Sequence, residues 1–421
     1  MIQLLKKLKI AALLALSGVA LVTSSCNKDV EQFPEPAVVV PSGLSLSEAI
    51  AANANDSLYN RLLIKSGLAP LYANKAGTFT MFVPDNNGMK LFINAISGGA
   101  VPLGAPDAVF SGFITANIPA ASAAGIVQYN TISTKITASQ IPATFPNFQL
   151  ATQIILPQPP PANPLVRLTT FPSARPNFAY VNNIPVTAVD AIVANGVIHH
   201  VATIVAPPTT VLAGLIYPDP TLSYFTAAIA RGDSGQTNLN RFDSLLKYGV
   251  TNMTVLAPNN AAFQTLIYGT AYGYALSLGA PPAVAVAQAN QAVALGPAIF
   301  SVPAFYGILP AASVRGILAY HFLATNRSGS YTPNIRVFSV NFSPLPTFIK
   351  TLVNGGFAPH PGILAQATFT GPFVTTLKFT GLGTFPPGGA PFSGAAATAV
   401  AIDKHAVNGV LHIIDKVLLP Q

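Results

Sequence analysis

Tryptophan is absent from this chain, cysteine occurs once, and charged residues make up only 8% of it. Each scarcity removes a class of explanation. With Cys26 as the single thiol, the folded part can build neither a disulfide nor a thiolate metal site. So few charges leave a surface of Thr, Ser, Asn, Gln and Ala, which suits a secreted or cell-surface protein better than a crowded cytosolic enzyme. The formal net charge is +8, but the basic residues are scattered. No basic stripe interleaved with aromatics is present, which excludes nucleic acid as a partner. Phosphate-loop, serine-hydrolase-elbow, zinc-protease and EF-hand patterns are all missing.

What is abundant is apolar. Hydrophobic residues form 51% of the 421, with 38 prolines and 32 glycines. That supports two or three domains with large cores and argues against global disorder.

Lys6, Lys7 and Lys9 form a basic n-region, and Ile10 to Val22 is an apolar run of about thirteen residues, too short to span a bilayer. It ends at Thr23-Ser24-Ser25-Cys26, which resembles the lipobox of Bacteroidetes-type lipoproteins, with Thr23 where Leu is usual. The expectation is a signal peptide over 1–25, lipidation of Cys26, and a proline-bearing tether over 26–41 that begins with the charged run Asn27-Lys28-Asp29-Val30-Glu31. Several acyl chains on one cysteine would anchor the protein stably. The resemblance implies an outer-membrane, surface-exposed lipoprotein.

Downstream, blocks recur in the same order. Thr78–Phe82 running into Val83-Pro84-Asp85-Asn86-Asn87 is matched by Met253 to Phe263, a buried strand entering a proline turn. Gly125 to Asn130 is matched by Gly316 to His321, the end of a helix. Asp190 to Pro207 is matched by Asp403 to Pro420, where Asn195-Gly196 and Asn408-Gly409 sit between apolar runs. Asn-Gly in that setting predicts a tight I′ hairpin turn with positive φ at both residues. The following strand is apolar on both faces, as buried strands are. The order indicates tandem duplication.

Together, T-V-x-A-P-x-x-x-A-F, L-x-Y-H and N-G-x-x-H-x-I-D-x-V-L-x-P resemble the fasciclin domain. The second copy matches through Thr254–Phe263, Leu318–His321 and Asn408–Pro420. The first is more divergent, with Asn130 for the His, Met89 for the Phe and Ala202-Thr203 for Ile-Asp. The resemblance implies an α+β fold, two tandem fasciclin-like domains over 42–207 and 208–421, each a wedge of two β-sheets against short helices. It also implies non-catalytic adhesion, without cofactor or metal. Both copies carry extra segments, 98–124 and 145–177 in the first, 268–312 and 338–391 in the second. Their length suggests loops, and ligand specificity for a surface protein or polysaccharide is expected there.

His199 and His412, Asn195, Gly196, Asn408, Gly409, Tyr320 and His321 are therefore read as structural residues. Asp403, His405 and His412 could approach across a hairpin as a weak metal or hydrolase cluster. The first copy keeps Asp190 but has Ile192 in place of His405, which argues against it. Arg231-Gly232-Asp233 spells an integrin-binding tripeptide, against the plain reading of a helix stopped at Gly. Without tryptophan, a glycan-capture platform would fall to Tyr268, Tyr272 and Tyr274, whose spacing does not make one clean face. The proline run 157–164 suggests a stiff loop.

Overall fold

The computed structural model describes residues 41–141, 143, 148–156, 165–356, 358–383 and 396–420. The expected signal peptide, Cys26, nearly all of the tether, the proline run 157–164 and the stretch 384–391 lie outside the described residues. Ser42–Gln421 forms one compact unit, and its fold is α+β.

In the first half, Ser45 opens the helix Leu46–Ala52 with a complete capping box to Glu48. The helix Ser57–Lys65 buries Leu58, Tyr59, Leu62 and Leu63 along one stripe. Eight strands follow: β1 (Phe79–Pro84), β2 (Thr131–Ile132), β3 (Leu150–Ile155), β4 (Arg167–Thr170), β5 (Pro172–Ala174), β6 (Ala179–Val181), β7 (Ile184–Val193) and β8 (Gly196–Val201). The second half supplies β9 (Met253–Pro258), the small hairpin β10 (Thr325–Arg327) and β11 (Ser330–Thr332), then β12 (Thr347–Ile349), β13 (Ile363–Thr370), β14 (Phe373–Thr380), β15 (Ala397–Ala406) and β16 (Gly409–Ile414).

The first sheet runs β4-β3-β2-β1-β8-β7-β6-β5 and the second β12-β13-β14-β15-β16-β9. In each half the one parallel pair joins the strand before the proline turn to the terminal strand, Phe79↔Gly196 to Pro84↔Val201 and Met253↔Gly409 to Pro258↔Ile414. Each sheet is pinched: among the described residues β2 meets β3 through Ile132↔Thr152 alone, and β14 meets β15 only at Lys378↔Thr398 and Phe379↔Ala397. The two sheets of each expected wedge are thus joined at a narrow seam.

Strand alternation explains why these central strands are apolar on both faces. Met253, Val255 and Ala257 of β9, with Leu411 and Ile413 of β16, face the helices, while Leu256 and Ile414 face the inside of the wedge. Met81 and Val83 against Phe82 repeat the division in the first half.

The Asn-Gly turns differ from the expectation. β7 and β8 pair through Val193↔Gly196, and β15 and β16 through Ala406↔Gly409, so the two turn residues are Ala194-Asn195 and Val407-Asn408. Neither asparagine has positive φ, and the turn is not I′. The glycines are required for closeness instead. A Cβ at Gly196 would lie 2.0 Å from the Phe79 carbonyl oxygen, and one at Gly409 would lie 2.5 Å from that of Met253.

The segment 268–312 is not a loop. The helix Asn260–Ser277 continues through its first residues, Pro282–Ala294 packs back against it, and Gly296–Ser301 and Pro303–Phe305 are short 3-10 turns. Ala271, Ala289, Ala292, Ile299 and Phe300 belong to the main helical core. In the first half, 98–124 likewise contributes the helix Asp107–Asn117 and the start of Ala120–Tyr129.

The halves share a buried joint of Phe171, Tyr180, Phe338, Val340 and Val410. Arg175 Nε donates to the Val340 carbonyl at 2.9 Å, Tyr180 Oη to that of Pro372 at 2.8 Å, and Asn341 Nδ2 to Ser173 Oγ at 3.1 Å.

Candidate functional site

The polar residues common to both copies form the same network twice. Asp190 and Asp403 sit at β-bulges with φ of 59° and 57°, a region that aspartate tolerates better than most residues. The bulge turns each backbone N–H onto a histidine: Asp190 N–H to His199 Nδ1 at 3.2 Å, Asp403 N–H to His412 Nδ1 at 3.4 Å. The other ring nitrogen, Nε2, donates to the carbonyl of Ile136 at 2.8 Å or Val337 at 3.0 Å. The carboxylates accept from Ala138 N–H in one copy and from Ser339 N–H and Oγ–H in the other. Thr80 and Thr254 complete the pattern, each bridging the same segment by accepting one N–H and donating to one carbonyl.

Burial pushes both histidines below their ordinary pKa. With both ring nitrogens hydrogen-bonded to backbone, each imidazole serves as a strut tying β8 or β16 to the segment that follows the Tyr-His or Tyr-Asn corner.

That corner is a second strut. His321 Nδ1 donates to the Ile317 carbonyl at 2.7 Å and Nε2 accepts from Leu418 N–H at 3.0 Å. Asn130 does the same in the first copy, donating to the Ile126 carbonyl and accepting from Val205 N–H. An amide with one donor and one acceptor end thus replaces an imidazole. Burial lowers the His321 pKa to about 4. Tyr129 and Tyr320 donate to the carbonyls of Thr169 and Gly362, and burial raises both to about 12.

Asn195 and Asn408 are the third strut, and the reason asparagine precedes the glycine. Asn195 accepts from Leu46 N–H at 2.8 Å and donates to the carbonyls of Tyr72 and Asn74. Asn408 accepts from Leu212 N–H at 2.7 Å and donates to those of Leu246 and Tyr248.

The proposed Asp403–His405–His412 cluster does not assemble. The bulge separates Asp403 from His405, whose Nε2 lies 3.0 Å from Arg336 Nη1 and whose ring packs on Phe338 and Tyr129 in the joint. Burial and the Arg336 charge drive its pKa well down. Among the described residues no group of three His, Cys, Asp or Glu could hold a metal. The Arg-Gly-Asp tripeptide is not displayed either. Asp233 is only 5% exposed and accepts from the N–H groups of Phe242 and Asp243. Gly232 has no positive φ and does not stop its helix by a left-handed turn; it sits where a Cβ would press on Leu318. Tyr268 and Tyr272 stack on each other at 6.3 Å and pack on the core, apart from the exposed Tyr274.

The surface outside this network differs between the copies. Beside the first hairpin lies a groove of about 470 Å³ lined by Leu44, Ala49, Ile192, Val193, Asp56 and His200. Both Asp56 oxygens lie 3.2 Å from His200 Nε2, and this contact raises the His200 pKa. By alignment of the copies Leu222 replaces Asp56 and Ile413 replaces His200, both in the core of the second half. Residues 190–207 and 403–420 align without gaps, which makes Ile192 the counterpart of His405. His405 is covered by the first half, whereas Ile192 is 55% exposed, next to Leu44 at 52%. Among the described residues β7 pairs with β6 through Ile184–Val186 and with no strand on that side beyond Val186.

No protein-family model matches the chain, and no curated protein does. Among solved structures it is similar to a FAS1 domain pair from the insect cell adhesion molecule fasciclin I. The identity is 12% and the TM-score 0.31, over 86% of this chain and 96% of that one.

Proposed function

We propose that the protein is a non-catalytic interaction module of adhesion type, held at the outer membrane by lipid on Cys26, that engages a protein partner through the first hairpin's face. The observation that carries the reading is the inequality between the two copies. The face bearing His405 is buried by protein, since the first half of the same chain sits on it. In the first half the counterpart of His405, Ile192, is exposed beside Leu44, on a strand that among the described residues pairs with β6 through Ile184–Val186. An unpaired edge with exposed apolar side chains is the surface onto which another chain adds. The cell-surface role rests on the lipobox-like N-terminus and the low charge. Adhesion is also the role of the insect protein named above.

The test is a pair of substitutions, Leu44→Glu and Ile192→Glu, on cells that display the protein. Partner binding or cell clustering should fall at least tenfold while the melting behaviour stays unchanged. A face that tolerates both charges without loss of binding is not the contact.

A further inference from the structure

Among the described residues Arg231 has no counter-ion. Its guanidinium lies on the ring of Tyr306, with Cζ 3.5 Å from the centroid, and Nε donates to the Leu309 carbonyl at 3.2 Å. Those two contacts fix the plane of the group. The neighbouring Arg241 and Arg315 are different, since they face Asp233, and Arg241 also faces Asp243. Among the described residues no carboxylate lies within 4 Å of Arg231, and neither of its terminal nitrogens is engaged. The group lines a cavity of about 240 Å³ with Ala227, Phe300, Ser234, Ser301 and Tyr306. Ser301 Oγ donates to the Ala298 carbonyl, so its lone pairs stay available.

A pre-oriented guanidinium is matched in shape by a carboxylate, which it holds with two parallel N–H donors. The cavity is smaller than those that take drug-sized ligands and suits a body of one ring. Its walls pair an apolar side, Ala227 and Phe300, with two serine hydroxyls, a combination fitted to a ring that carries hydroxyl groups. The first copy is built differently here. By alignment Lys65 stands in place of Arg231 and donates to the Thr115 carbonyl on the helix Asp107–Asn117, which packs where the second copy has 296–306.

We propose that this cavity binds the carboxylate of a sugar acid, such as one hexuronate residue, with Arg231 as its anchor. The site is separate from the first hairpin's face, and either can fail without the other. Calorimetric titration of the full-length protein with glucuronate, glucose and N-acetylglycine tests it. Glucuronate should bind saturably and more weakly as salt rises, and glucose should not bind. Arg231→Gln should weaken glucuronate at least tenfold, and Arg231→Lys, which keeps the charge but loses the fork, should weaken it by a smaller factor. Where Arg231→Gln does not fold, movement of the wild-type Arg231 side-chain NMR signals on adding glucuronate replaces it, and static signals count against the site. Absence of saturable glucuronate binding up to about 20 mM overturns the proposal. So does N-acetylglycine binding as tightly as glucuronate, which would show a carboxylate read without its sugar.

Discussion

At the scale of single residues, the two copies act as controls for each other. His321 and Asn130 make the same pair of bonds, so His321→Asn should fold and should lose one source of acid lability. The sign follows from the direction of the shift. His321 titrates near 4 when folded and near 6.5 when unfolded, so the unfolded state binds its proton first. The stability linked to this group is full above about pH 6.5 and declines as pH falls toward 4, by up to about 3 kcal/mol. Urea midpoints measured from pH 7 to pH 4 should therefore fall less steeply in the asparagine variant. An equally steep fall would remove His321 from the cause.

His200 has the opposite sign. Asp56 raises its pKa, so its contribution is present below about pH 6.5 and fades as pH rises through the folded value. His200→Ile alone leaves the buried Asp56 without its imidazole and should cost about 2–4 kcal/mol. Adding Asp56→Leu, which reproduces the Leu222–Ile413 pair of the second half, should recover most of that loss. A double variant no more stable than the single one would mean the two positions are not coupled. His412→Ala strands the Asp403 N–H and the Val337 carbonyl and should cost about 2–4 kcal/mol in a urea melt.

At the scale of elements, what could be read from the chain and what could not divide along physical lines. The recurrent strand, the helix corner and the terminal hairpin were legible because short-range pattern fixes them: period-2 alternation, a proline turn, a Tyr-His corner. The histidines read as structural are engaged at both nitrogens. Asn-Gly marks the hairpin, but not through the I′ turn that the dipeptide suggests. Asn408 is needed for three backbone partners distant in sequence, and Gly409 for the approach of β9, and neither partner can be inferred from the dipeptide. The Asp190 and Asp403 bulges were not legible at all, since they exist to aim an N–H at a ring nine positions away. The segment 268–312 misled by composition. Runs of Ala and Gly look like loop, yet small residues are what two closely packed helices require at their contact. Excising 268–312 removes Ala271, Ala289, Ala292, Ile299 and Phe300 from the core, and the excised protein should fail to give a cooperative unfolding transition. A cooperative, native-like melt after excision would restore the loop interpretation.

At the scale of the whole molecule, duplication has given one body with two unlike surfaces. Phe171, Phe338 and Val340 bury the joint, and Arg336 spans it, its guanidinium 4.8 Å from the Phe171 ring centroid while it donates to the Ala406 and Val407 carbonyls. Burial lowers the Arg336 pKa to about 10, still well above neutral pH. Phe338→Ala should open this joint, and calorimetry should then resolve two transitions where the parent shows one. A single transition in both would mean the halves are coupled elsewhere.

The joint leaves the first copy's hairpin face uncovered, and the proposed function depends on that face. A photo-crosslinking residue placed at Ile192, on cells that make the protein, tests it most directly. A discrete protein adduct from position 192, with none from the more exposed Leu278, is the predicted result. Adducts that are absent at 192, or no different from those at 278, would contradict it.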